Sequence, residues 1–182
     1  MQIPNTNRKK ALIIIDVQPA FMKPHNEYIV KNIINLIQTE EYDLYIDAVF
    51  SAEEDSLWSQ QQEWFAPNNK DTVTDPEISN VLQGKNGLSI AKQTRSVFYG
   101  DKDLAVVFKE QGIEEVHIAG TETHDCVLAS AFSTFDEGYP VYVIEECCES
   151  ATSGRHEQGL MILRQQKMTN NSCLAETKLI DL

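Results

Sequence analysis

The run ALIIID at residues 11–16 constrains the fold more than any other stretch. It is compact, rich in isoleucine and closed by a carboxylate, which reads as a strand buried on both faces. Strands of that kind belong to parallel sheets covered by helices. The following segments supply the alternation such a sheet needs. EYIVKNIINLIQ (27–38) places Ile29, Ile33, Ile34, Leu36 and Ile37 mostly on one face at helical spacing. DLYIDAVF (43–50), LSIAKQ (88–93), EEVHIAG (114–120) and PVYVIEE (140–146) read as strands. KDLAVVFKEQG (102–112), CVLASAFSTFDEG (126–138) and RHEQGLMILRQQ (155–166) read as helices, the first two closed by glycine. A weak strand is expected near the C-terminus. Residues 51–86, with Trp58 and Trp64, read as a long irregular loop of the kind that is usually functional or mobile. The expected fold class is therefore α/β, a three-layer α/β/α sandwich with a mostly parallel central sheet. With no internal repeat, low-complexity tract or linker, residues 1–182 form a single expected domain.

The charge balance narrows the partners. A net charge of −13 repels phosphate backbones and anionic lipid, so neither nucleic acid nor membrane is an expected partner. The start MQIPNTNRKK is polar, and the apolar run after it is too short for a signal or a membrane span. A cytoplasmic location is the resulting expectation. Of the four cysteines, Cys126, Cys147, Cys148 and Cys173, none forms a CxxC pair or stands at zinc-ligand spacing from a histidine. Free thiols and no metal are expected. No GxGxxG or GxxxxGK[ST] follows any strand, which argues against a nucleotide binder on the same alternation.

Three chemically active side chains, Asp16, Lys92 and Cys126, fall at or just past the ends of expected strands. Sites of parallel sheets form there. In HIAGTETHDCV, Thr123 reads as a helix N-cap with Asp125 and Cys126 in the first turn. A thiol in that position feels the positive end of the helix dipole, which favours thiolate, and the turn's N–H groups are oriented to hold an oxyanion. Attack on an amide also needs a cation beside the thiolate and an acid–base group for the leaving amine, for which Lys92 and Asp16 are candidates. The plainer alternatives are a buried packing thiol, a solvated lysine and a turn aspartate.

Together, IIIDVQPAF (13–21), AKQTRSVFYG (91–100) and AGTETHDCVLASAFSTFDEGYPVYVIEE (119–146) resemble the isochorismatase-like cysteine hydrolases, which include nicotinamidases and N-carbamoylsarcosine amidohydrolase. The resemblance implies an Asp–Lys–Cys triad at Asp16, Lys92 and Cys126. Cys126 would attack the carbonyl, Asp16 would shuttle the proton, and Lys92 would hold the thiolate and orient Asp16. It further implies an oxyanion hole from the backbone N–H groups of Glu122 and Cys126, a cis peptide at Thr121–Glu122, Phe21 near the substrate pocket, and a homo-oligomer.

The sequence also departs from that family. Nicotinamidases bind a metal through an Asp and two His in a DxH pattern after the second strand, where this chain reads VFSAEEDSLW. That argues against a nicotinamidase; the acidic Glu53, Glu54 and Asp55 read as a solvated loop. Cys126 argues for an amide or ureido substrate over a vinyl ether. Glu122, facing the pocket, would favour a neutral or cationic substrate; facing away, it says nothing of specificity. Arg95 reads as a surface charge or a substrate clamp, and His124 as a ring directed away from the thiol. The tryptophans fit a pocket lid or a subunit contact. The expected function is a metal-independent, cofactor-free cysteine hydrolase of a small amide or ureido compound. Its alternative is a catalytically inactive binding protein on the same fold.

Overall fold

The structure, a computed structural model, describes residues 1–4, 6–63 and 72–172; Trp64 and Cys173 lie outside them. Within these residues five strands form one sheet in the order β3-β2-β1-β4-β5. They are β1 (Lys10–Ile15), β2 (Leu44–Phe50), β3 (Gly87–Lys92), β4 (Glu115–Thr121) and β5 (Val141–Glu149). All four strand pairings are parallel.

The apolar run of β1 lies at the centre of this sheet and is fully buried from Ala11 to Ile15. Successive side chains of a strand point to opposite faces. Ala11, Ile13 and Ile15 accordingly join one core, while Leu12 and Ile14 join the other. Helix α1 (Tyr28–Thr39) covers the second face with Ile29, Val30, Ile33, Leu36 and Ile37. Helices α4 (Leu104–Gln111), α5 (Leu128–Asp136) and α6 (Ser153–Gln165) contribute Leu104, Phe108, Ala131 and Leu163 to the first. Truncating an isoleucine such as Ile13 to alanine would cost about 2–5 kcal/mol. Among the described residues no helix is long and apolar enough to cross a membrane.

The expected loop at 51–86 instead contains α2 (Leu57–Gln62) and α3 (Pro76–Leu82). Asp75 caps α3 by accepting from Glu77 N, and Pro76 opens it, a start signal that the polar surroundings obscured. Ile78 anchors this helix in the core beneath α1. Strand β5 runs on through Cys147 and Cys148 to Glu149, three residues past its expected end, and both thiols are buried within it. The extension follows a shift of register between β4 and β5 that re-pairs Gly120 with Cys148. Of the expected C-terminal strand, the described residues show an isolated parallel bridge between Val143 and Thr169.

Candidate active site

The chain leaves β1 toward β2 and β3 on one side and returns to β4 and β5 on the other. The switch point lies between β1 and β4, where a parallel sheet opens a crevice at its carboxyl end. Asp16 follows β1 and Cys126 follows β4, so the two flank this crevice. Gly120 lets the strands meet there: with φ at +125°, an added Cβ would lie 2.1 Å from the Ile15 carbonyl oxygen.

Lys92 comes from farther away, the last residue of edge strand β3. Its stem passes Phe50, with Nζ 5.2 Å from the ring centre, and its ammonium donates to Asp16 Oδ2 at 2.7 Å and to the Thr94 carbonyl at 3.1 Å. Asp16, Lys92 and Cys126 are 2%, 1% and 8% exposed, so the polar cluster is almost wholly removed from bulk water. Asp16 itself adopts a left-handed backbone, φ 54°, held by its N–H to the Ala48 carbonyl at 2.9 Å. Such a conformation in a non-glycine residue is a mark of a constrained site. Its second oxygen, Oδ1, is buried without a hydrogen-bond partner in this geometry.

The electrostatics link all three groups. Burial raises the Asp16 carboxyl above its ordinary range, against the pull of the Lys92 ammonium. Burial and then the Asp16 charge push the Cys126 thiol well up, and Lys92 only partly opposes them. Burial works against the Lys92 ammonium, but Asp16 and Cys126 outweigh it and the lysine is held charged. The helix-dipole argument for a thiolate is thus opposed by burial and by the Asp16 charge, and a carboxylate of raised basicity stands beside the thiol.

The turn that presents Cys126 differs from the expected N-cap. Residues Thr123–Val127 form a π-helical turn before α5, with Val127 N–H bonded to the Glu122 carbonyl at 3.2 Å. Thr123 caps nothing; its hydroxyl pairs with His156 Nδ1 of α6 at 2.8 Å. Gly159 brings α6 close against the turn, since an added Cβ there would lie 2.8 Å from His124 Cα. The peptide bond Thr121–Glu122 is cis. His124 turns to Ser150 Oγ at 3.0 Å and to Glu122 Oε2 at 3.5 Å.

Asp16 and Cys126 open onto a cavity of about 730 Å³ together with Thr121 and Glu122. The volume suits a small molecule. One wall is aromatic: Phe21 meets Phe50 edge-on at 6.4 Å, and Phe50 meets Trp58 at 4.7 Å. Arg95 lies over Trp58, 4.6 Å from the ring centre, and pairs with Asp125. Gln62 and Arg155 complete the rim, with His124. The structure therefore brings together Asp16, Lys92, Cys126, Glu122 and Phe21. Trp58, expected at a pocket lid or a subunit contact, lines the cavity. Arg155, Gln62 and Phe50 were not found from the sequence. The amide of Gln18, two residues after Asp16, ties the end of β1 to β2 by hydrogen bonds with both backbone groups of Phe50, at 2.7 and 3.0 Å.

The residues after β2 do not fit the Asp and two His of a metal-binding nicotinamidase. Glu53, Glu54 and Asp55 are exposed there, and no histidine follows β2 before His117, which is buried in β4.

Against known proteins, residues 10–174 match the Isochorismatase domain. Maleamate amidohydrolase of Pseudomonas putida is 34% identical over 71 residues, spanning 39% of this chain and 33% of that protein. Among solved structures, the pyrazinamidase/nicotinamidase of Streptococcus mutans superposes with a TM-score of 0.75 at 22% identity, covering 88% of this chain and 98% of that one. N-carbamoylsarcosine amidase of Thermoplasma acidophilum gives 0.72 at 16% identity over 85% and 92%. With nearly the whole chain matched and the sheet built as described, this protein belongs to the isochorismatase family.

Proposed function

We propose that this chain is a cysteine amidohydrolase that cleaves a small amide or ureido C–N bond with Asp16, Lys92 and Cys126. One observation carries the reading: a buried carboxylate, clamped on one oxygen by Lys92, has its other oxygen unpartnered beside a buried thiol at the floor of a cavity. The named relatives that act on amides, maleamate amidohydrolase and nicotinamidase, point the same way.

The mechanism follows from where the proton resides. Substrate binding brings the carbonyl carbon to Cys126 Sγ. As the S–C bond forms, the thiol proton passes to Asp16, whose raised pKa suits it to accept. The oxyanion is received by the backbone N–H groups of Glu122 and Cys126. Asp16 then protonates the leaving nitrogen, the C–N bond breaks, and ammonia or an amine departs from a thioester. Water, deprotonated by Asp16, attacks that thioester; the proton returns to the sulfur and the acid is released. Lys92 stays charged throughout and keeps Asp16 oriented.

The test is alkylation of Cys126 by iodoacetamide, read by peptide mass spectrometry across pH, in wild type and Lys92→Ala. We expect Cys126 to react ahead of Cys147 and Cys148. Lys92→Ala should slow it at least ~10-fold at neutral pH, because the cation that opposes burial and the Asp16 charge at the thiol is lost. Equal rates in the two proteins would overturn the assignment in favour of a binding protein.

A further inference from the structure

The geometry points to Arg155 as an anion-binding residue of this cavity, and so to a substrate that carries a carboxylate beyond its scissile amide. The inference rests on the amidohydrolase reading for the word substrate, but not for the binding site itself.

The chain has four arginines, and two of them line this cavity, in a protein with 28 acidic residues. Three of the four have a carboxylate. Arg8 pairs with Glu115, Arg95 with Asp125, and Arg164 with Glu145 and Glu157. Among the described residues Arg155 has none. This is not for want of acids nearby. Glu122 pairs with His124, Asp125 with Arg95, and Glu149 with Tyr28 at 2.7 Å and His156 at 3.4 Å. Each of these carboxylates is engaged, and Glu122, which lines the cavity, is turned to His124. The preference for a neutral or cationic substrate expected of a pocket-facing Glu122 therefore does not extend to Arg155, whose exposed guanidinium has no ion pair among the described residues.

Its position adds to the effect. Arg155 lies in the first turn of α6, a helix of 13 residues capped by Thr152, whose hydroxyl accepts from Arg155 N. The positive end of that helix adds to the guanidinium charge at the same mouth. A guanidinium offers a planar fork of donors matched to a planar carboxylate. A phosphate dianion would meet the same fork, but its second charge would also meet the carboxylates of Glu122 and Asp125 on the same lining. Arg155 therefore favours a group that brings one charge to the fork, a carboxylate, over a group that brings two. The chemical class is a short acid amide or ureido acid, its carboxylate at Arg155 and its carbonyl at Cys126.

The experiment is calorimetric titration of the wild-type protein with malonate, succinate, maleate and glutarate, each against its diamide, with inorganic phosphate as a further ligand. Ammonia release from succinamate, maleamate and their diamides is measured on the same preparation. We expect at least one dicarboxylate to bind ~10-fold or more tighter than its diamide, and Arg155→Ala to erase that preference. Arg155→Lys should retain part of it. Equal binding of acids and diamides, an unaltered preference in Arg155→Ala, or tighter binding of phosphate than of every carboxylate would overturn the assignment. If the binding preference holds and no ammonia is released, the anion site stands and the amidohydrolase reading falls. If ammonia is released with no dependence on Arg155 or on the second carboxylate, the amidohydrolase reading stands and the anion site falls.

Discussion

Two buried ionic clusters lie at opposite ends of the same sheet. At its carboxyl end is Asp16–Lys92–Cys126. At its amino end, Glu115 and His117 of β4 meet Tyr42 and the N-terminal segment. Glu115 and His117 are both fully buried. Glu115 is hydrogen-bonded by His117 Nε2 at 3.0 Å and Thr6 Oγ1 at 3.1 Å, and paired with Arg8 at 3.5 Å. The other ring nitrogen of His117 meets Tyr42 OH at 2.9 Å. Burial alone would raise the Glu115 carboxyl, but these partners outweigh it and hold it below the ordinary range. Asp16, with one oxygen unpartnered, is shifted the opposite way. Charge burial is common to both clusters; satisfaction is not. A satisfied cluster fixes structure, whereas an unsatisfied one facing a cavity retains the capacity to bind and move a proton.

The largest expected effect breaks the carboxyl-end cluster. Cys126→Ala removes the proposed nucleophile and should lower turnover at least ~10³-fold. Its loss of one buried sulfur should cost only about 1 kcal/mol of stability. Glu115→Gln inverts this pattern. It weakens charge-assisted bonds at a buried site and should cost about 2 kcal/mol, while the activity per folded molecule stays at the wild-type level. Ammonia release and urea unfolding, measured on both variants, check the contrast. A Glu115→Gln enzyme that is stable but inactive would erase it.

Next in size is the response to pH, where the two carboxylates carry opposite signs. Glu115 has a lowered folded pKa, so its contribution is present above the unfolded carboxylate value and is lost as pH falls through the folded one. Glu145, lowered by hydrogen bonds from Arg164, adds in the same window. Urea midpoints should therefore fall as the solution is acidified below about pH 4, and Glu115→Gln should flatten part of that fall. Asp16 is raised, so its protonated form favours folding below the unfolded value, and that contribution is lost as pH rises through the folded pKa. As the proposed base of the reaction it must be ionised to act. The acid limb of kcat/KM should accordingly lie above the ordinary carboxylate range, whereas the acid limb of stability lies within or below it. Coincident limbs would contradict the separation.

How far each cluster was legible in the sequence follows from the same difference. β1 could be read because a strand buried on both faces is a continuous apolar run, and Asp16 because a carboxylate ends that run. Lys92, at the end of β3, and Cys126, in the turn after β4, were legible by their place at the carboxyl ends of strands. The helix α3 was missed although Asp75–Pro76 announces it, because the helix is only seven residues long and its apolar stripe is short: Ile78 is buried, and Val81 and Leu82 at i+3 and i+4 pack on the core partly buried. The π-helical turn was misread because Thr123 is a good N-cap in sequence; only the packing of α6 through Gly159 and His156 diverts its hydroxyl. Trp58 was legible only as one of two tryptophans that fit a pocket lid or a subunit contact, and Arg155 was not legible as a site residue. They reach the cavity from α2 and the start of α6, and neither placement leaves a local periodicity. The cluster at Glu115 left no signal beyond a strand containing EVH, since its partners Thr6, Arg8 and Tyr42 are distant in sequence.

The smallest expected effect concerns the bond that the sequence misassigned. Thr123 and His156 tie the turn that carries Cys126 to α6, and neither lines the cavity. Thr123→Val keeps the volume of the side chain and removes the hydroxyl. If the bond only stabilises the fold, the variant should lose about 1 kcal/mol and keep its kinetic constants. If the bond holds the turn in register, kcat should fall ~10-fold with KM little changed, because a displaced nucleophile reacts more slowly without weakening binding elsewhere. The second outcome is expected here, since the turn also carries the Glu122 and Cys126 N–H groups and a shift would misplace donor and nucleophile together. His156→Ala should reproduce the effect, and the double variant should show no further loss, as required of two residues acting through one hydrogen bond. Additive losses would mean that His156 acts instead through Glu149, its other neighbour at 3.4 Å.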